Sequence, residues 1–107
     1  MDILIAESGY PSMDAGPNDQ DRLEYMKVYL KQLLLAISDG ISVIGYSAWS
    51  LMDNFEWMGG YDVRFGLYAV NFSDPLRRRT PRDSARYYAA VTRSRAVHPT
   101  HNVLNYI

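Results

Sequence analysis

Residues 41–57 read "ISVIGYSAWSLMDNFEW", and they join two kinds of sequence without a break. The first half, Ile41–Ala48, is rich in β-branched and aromatic residues, the composition of a strand. The second half, Trp49–Trp57, packs two indoles, Phe55, Asp53, Asn54 and Glu56 into nine residues, and Gly59-Gly60 follows closely. A segment that only built a core would not set carboxylates and an amide among those rings. Aromatic faces beside hydrogen-bonding groups suit a carbohydrate. The C–H faces of a pyranose pack on indole, while its hydroxyls ask for charge-assisted hydrogen bonds.

Upstream of this stretch the chain alternates strand and helix. Ile3–Ala6 is a short, continuous apolar run, as in a strand buried on both faces. Glu7 stands at its C-terminal end, and Ser8-Gly9 signals a turn. "YPSMDAGPNDQ" (10–20) reads as an ordered loop. A helix follows, capped by Asn18 or Asp19 with acidic residues in its first turn. Leu23, Met26, Leu30, Leu33, Leu34 and Ile37 make its apolar stripe, and Asp39-Gly40 stops it. Downstream, Leu67–Phe72 reads as a second extended run. "SDPLRRRTPRD" (73–83) is a polar turn with Pro81 near the start of a last helix, about Asp83–Arg95. Ala85, Tyr88, Ala89 and Thr92 are its expected buried stripe.

Alternating βα units imply a parallel sheet. Two such units cannot close a barrel. A (β/α)8 barrel needs about 250 residues, so 107 residues make about a quarter of one. The strand-first start agrees with a chain cut from something larger. Glu7 and Trp49–Trp57 both follow strand C-termini, the edge where parallel βα folds build their sites.

Composition narrows the function classes. The chain is 48% hydrophobic and 21% charged, with a net charge of −1, which is globular and gives no pull toward polyanions or an anionic membrane. With no cysteine there is neither a disulfide framework nor a thiolate metal site. No apolar run reaches the ~18 residues of a membrane-spanning helix, and no signal-peptide pattern opens the chain.

Three segments carry a resemblance to family-1 glycoside hydrolases, the β-glucosidase-type retaining enzymes on a (β/α)8 barrel. "IAESG" is similar to that family's I-T-E-N-G. "YSAWSLMDNFEWMGGYDVRFGLYAVNF" resembles its Y-x-x-W-S-L-L-D-N-F-E-W-x-x-G-Y-x-x-R-F-G-L-x-x-V-D-F block. "RRRTPRDSARYY" resembles the R-x-P-K-x-S-A-x-x-Y that follows. The resemblance extends from Ile3 to about Val91 in order and spacing, and the long block is the specific part.

The resemblance implies barrel strand 7, helix 7, strand 8 and helix 8, with 1–95 as this C-terminal βαβα segment and 96–107 as a tail. It implies Glu7 as the catalytic nucleophile that forms the covalent glycosyl-enzyme. Trp49 is then the platform beneath the sugar, and Glu56 the acceptor for its O4 and O6 hydroxyls. Trp57 brings an indole N–H near O3, and Phe65 lines the O6 side. The substrate class is a β-glycoside, with no metal or organic cofactor and no nucleic-acid or membrane partner. Ala6 and Ser8 depart from the usual Thr and Asn, and Asn71 from a common Asp.

The family's acid/base Glu, in a T-x-N-E-P segment, is absent. Retaining chemistry needs two carboxylates ~5–5.5 Å apart, so the chain alone is expected to be inactive and to need the missing N-terminal part of the barrel. The alternatives are a non-catalytic carbohydrate- or protein-binding relative with the same barrel, or an independently acting domain. Asp53 and Asn54 read as loop-shaping residues, Gly59 and Gly60 as a tight turn, and Arg77–Arg79 as a solvated turn. His98 and His101 lack an evident third ligand and belong to a polar tail. Asn71-Phe72-Ser73 matches a glycosylation acceptor, but its overlap with an expected strand argues against occupancy.

Overall fold

The computed structural model describes residues 1–99. Strand β1 (Ile3–Ser8) leads to helix α1 (Gln20–Ser38) and strand β2 (Val43–Ala48). A short 3-10 turn (Trp57–Gly59), strands β3 (Tyr68–Val70) and β4 (Arg79–Pro81), and helix α2 (Asp83–Ser94) complete the order. β1 and β2 pair in parallel, with Ile3 opposite Val43 and Ser8 opposite Ala48. The expected β-α-β unit with a parallel pair is present. β3 is shorter than the run 67–72, and it pairs antiparallel with β4, a strand hidden inside what reads as a polar turn. Gly40, at φ +95°, ends α1 in a conformation that glycine adopts cheaply.

The core sits at one end of the sheet. Met26, Leu30, Leu67, Ala85, Tyr87 and Val97 form it, and β2 reaches it through Tyr46 and Ala48, the C-terminal half of the strand. That placement corrects two expectations. β1 is not buried on both faces, since Leu4 is 60% exposed, and neither Leu34 nor Ile37 on α1 is buried. All three lie toward the opposite end, beyond the core. Val97, in the expected tail, is part of the core and accepts the Tyr87 hydroxyl at 2.8 Å.

The buried face of α2 is also rotated from expectation. Ser84, Ala85, Tyr87 and Ala90 are buried, whereas Tyr88 and Ala89 are half-buried and Thr92 is exposed. Docking partners set this face rather than hydrophobic spacing, because Ser84 is drawn in by Asp19.

Asp19 is not the side-chain cap that its position suggests. It precedes α1, yet its carboxylate makes no capping bond. It accepts instead from Arg22 Nη1 at 2.6 Å, from the Ser84 N–H at 3.0 Å, and from the Ser84 hydroxyl. Arg22 and a second arginine, Arg82, are buried together with Asp19 and Asp53. Arg82 grips Asp53 with two bonds, 2.8 and 3.0 Å, and Asp53 also accepts from the N–H groups of Gly66 and Val70. Both guanidinium groups donate to the Gly66 carbonyl, at 2.7 and 2.6 Å. Two buried cations against two buried anions leave little net charge to desolvate. Asp53 and Asn54 thus shape the loop as expected; Asn54 Nδ2 donates to the Ser50 hydroxyl and the Met52 carbonyl.

Removing one member of such a set strands its partner's charge in a dry interior, which costs about 3–5 kcal/mol. Asp53→Ala is therefore expected to lower folding stability by about that amount in thermal or urea denaturation. A loss below about 1 kcal/mol, as for an exposed ion pair, would contradict the role assigned to the cluster.

Asp21 adds a pH dependence. Burial opposes its ionisation, but hydrogen bonds from the Met13 N–H, the Ser12 hydroxyl and the Arg22 N–H outweigh burial. With the Arg22 charge they hold its carboxyl below the usual 3.8. A depressed carboxylate stabilises the fold above its unfolded pKa and loses that contribution as pH falls through the folded one. Tm is expected to decline as pH drops below about 4, and Asp21→Asn to flatten that part of the acid limb. An unchanged limb would exclude Asp21 as a source.

Candidate active site

β1 and β2 end side by side, and the Trp49 N–H donates to the Ser8 carbonyl at 2.8 Å just past the last pair. Glu7 is the penultimate residue of β1, and Trp49 directly follows β2. The chain then leaves in a long excursion that folds back on itself. Ser50 N–H meets the Phe65 carbonyl at 3.0 Å, and Leu67 N–H meets the Ser50 carbonyl at 2.8 Å. This pairing returns Phe65 to the strand ends. The tip is closed by the Glu56 N–H on the Gly60 carbonyl at 2.8 Å, with Gly60 at φ +56°. Gly59 and Gly60 form the tight turn expected of them.

The result is a cleft of about 500 Å³ lined by Glu7, Gly9, Trp49, Glu56, Trp57 and Phe65. All five residues named from the sequence share it. The Trp49 indole Nε1 donates to Glu56 Oε1 at 3.2 Å, so one wall is an aromatic face tied to a carboxylate. Glu7, on β1, supplies a second carboxylate from a different strand end. Chemically, the cleft offers two acidic groups and three rings, the acceptors and faces that a polyol with apolar C–H patches requires.

Trp57 is held at φ +47° with its ring 86% exposed. For a bulky non-glycine residue that backbone is uncommon and costs of order 1–3 kcal/mol. Packing does not repay it, since most of the ring faces solvent. Trp57→Gly is expected to leave Tm unchanged or raise it, despite the loss of a large aromatic. A clear drop would mean that the ring is structural.

Gly9 is the site residue that the sequence underplayed. It reads as a turn, but a Cβ there would overlap the Trp49 carbonyl oxygen and come within 3.2 Å of the Phe65 ring. Only the backbone trace after β2 shows this, so no local signal announces it. Arg22 and Arg82 were likewise silent: Arg22 is not one of the apolar residues that mark the stripe of its helix, and Arg82 falls in a stretch that reads as a polar turn. Arg78 pairs with Asp74 at 3.0 Å in an exposed turn, and Arg77 and Arg79 are exposed with it. Asn71 lies just beyond β3 and is exposed, so the strand does not overlap it. His98 is exposed, His101 lies outside the described residues, and no metal-capable cluster occurs among the described residues. No helix there is long and apolar enough to cross a membrane.

Comparison with known proteins fits this cleft. The model of glycosyl hydrolase family 1 matches residues 1–97. The chain belongs to that family. It is similar to human lactase/phlorizin hydrolase, 51% identical over 90 residues that cover 83% of this chain and 5% of that protein. Human cytosolic beta-glucosidase is 46% identical over 94 residues, 86% of this chain and 20% of that one. Among solved structures, aphid myrosinase superposes with a TM-score of 0.81 at 45% identity, over 84% of this chain and 20% of that chain. A beta-glucosidase from Thermotoga maritima, in complex with methoxycarbonyl-substituted glucoimidazole, superposes at 0.84 with 33% identity, over 91% and 23%. The chain spans a fifth or less of the length of these curated relatives.

Proposed function

We propose that residues 1–97 belong to the C-terminal quarter of a (β/α)8 glycosidase barrel, with Val97 packed in its core. β1, α1, β2 and α2 are then strand 7, helix 7, strand 8 and helix 8. The reaction served is retaining hydrolysis of β-glycosides in carbohydrate metabolism. One observation carries this: Glu7 and the Trp49–Trp57 segment, some forty residues apart, line one cleft at paired strand ends.

In this scheme Glu7 attacks the anomeric carbon as the leaving oxygen departs, giving a covalent glycosyl-enzyme. A second Glu, contributed from outside these residues, protonates the leaving oxygen. It then takes a proton from the water that releases the sugar. Trp49 supports the apolar face of the ring. Its bond to Glu56 commits one carboxylate oxygen and orients the other toward the O4 and O6 hydroxyls. Trp57 offers its N–H near O3, and Phe65 closes the O6 side. That a relative was solved with glucoimidazole bound agrees with a glucose-sized ligand in such a cleft.

The division of carboxylates makes the scheme testable. The purified 107-residue chain is expected to release no aryl alcohol from an aryl β-glucoside. The intact polypeptide that also supplies the acid/base Glu is expected to hydrolyse it with retained anomeric configuration. Glu7→Gln should reduce that turnover by orders of magnitude. Turnover by the isolated chain that Glu7→Gln abolishes would overturn the divided site. An intact polypeptide that binds glycosides without cleaving them would instead mark a non-catalytic relative.

A further inference from the structure

We infer that Arg22, which lies outside the cleft, is the residue that fixes the distance between its two walls; the inference rests on the glycosidase reading above. The guanidinium is 1% exposed and makes four hydrogen bonds. Nε donates to the Tyr10 carbonyl at 3.0 Å, Nη1 to the Gly66 carbonyl at 2.7 Å, and Nη2 to the Arg64 carbonyl. The fourth bond goes to Asp19, which anchors the group.

Each of those three carbonyls adjoins a residue of the cleft. Tyr10 follows Gly9 on the wall that continues from Glu7. Arg64 and Gly66 flank Phe65 on the opposite wall. The Phe65 carbonyl in turn accepts the Ser50 N–H, one residue past Trp49. A single planar group therefore spans the loop after β1 and the returning limb of the loop after β2. Both walls are already in contact at Gly9, where a Cβ would overlap the Trp49 carbonyl oxygen. Small changes in spacing are thus transmitted directly to the Trp49 platform.

The chemistry requires arginine. Three acceptors on separate backbone segments and a carboxylate must be met from one plane, and the guanidinium fork provides five fixed N–H donors. A lysine ammonium donates from a single point and cannot reach all of them. Burial presses the Arg22 pKa below its usual value and the Arg82 charge adds to that, while Asp19 and Asp53 pull the other way.

Arg82 supplies an internal control. It is equally buried and shares the Gly66 carbonyl beside Phe65, but its other partners are Asp53 and the carbonyls of Ala15 and Gly16; it bonds neither Tyr10 nor Arg64. A merely structural role for Arg22 would make the two variants behave alike.

The test compares Arg22→Lys and Arg82→Lys in the intact polypeptide, well below Tm. Stability, amide exchange and affinity for glucoimidazole are measured on each. Both variants are expected to lose stability. Arg22→Lys should weaken glucoimidazole binding by about tenfold to a hundredfold, the scale of a roughly ångström misplacement. It should also speed exchange at the Ser12 and Ser50 amides, which bond the Arg64 and Phe65 carbonyls, without affecting the Ile3 amide at the far end of β1. Arg82→Lys, which leaves the Tyr10 and Arg64 bonds of Arg22 in place, should lose several-fold less affinity than Arg22→Lys. Should Arg22→Lys not fold, Arg22→Gln is read in the same way. Equal loss of affinity in the two arginine variants, or full affinity in the Arg22 variant, overturns the positioning role alone. A well-protected wild type with no affinity for glucoimidazole overturns the sugar-cleft reading, and this inference with it.

Discussion

The carbonyl oxygen of Gly66 receives N–H groups from two buried guanidiniums, and most of the ordered loop structure is organised around that point. Each arginine brings its own aspartate, so the cluster is close to neutral inside a low-dielectric interior. Position 66 must be glycine because a Cβ there would overlap the Asp53 backbone. From this centre bonds run to the loop after β1 through Tyr10, Ala15 and Gly16, to the loop after β2 through Asp53 and Arg64, and to the start of α2 through Ser84. Three segments distant in sequence are thereby fixed to one another without a large apolar core between them.

That arrangement separates stability from chemistry. The charged cluster is sealed from solvent, while the cleft on the same strand ends keeps Trp57 and Glu7 exposed. The loops that line the cleft are secured from behind by charge-assisted bonds. The positive φ at Trp57 is tolerable because the loop ends are held elsewhere. The cleft side chains are presented at the surface, and the loops that carry them are held beneath it.

The apolar surface points to the same division. The core gathers at the strand C-termini, and Leu4, Ile44, Leu34 and Ile37 stay exposed toward the other end. A (β/α)8 barrel covers such residues with neighbouring strands and helices. Family membership and the span of a fifth or less of the curated relatives agree with that arrangement.

The sequence by itself determined the β-α-β order, the parallel pair and the loop-shaping part of Asp53 and Asn54, while its resemblance to a known family named five of the six residues that line the cleft. The element order was legible because strand composition and glycine stops are local signals, whereas a residue such as Phe65 was named only by the resemblance. The tertiary structure decided what local signals cannot carry. Asp19 reads as a helix cap and serves as a buried counter-ion for Arg22. Arg22 and Arg82 carry no signal in the local pattern and are among the most buried side chains described. Gly9 reads as a turn and marks the contact of two walls. The buried face of α2 follows Ser84 rather than the hydrophobic stripe. In each case the deciding partner lies far along the chain, and a buried charge is stable only once that partner has been brought to it.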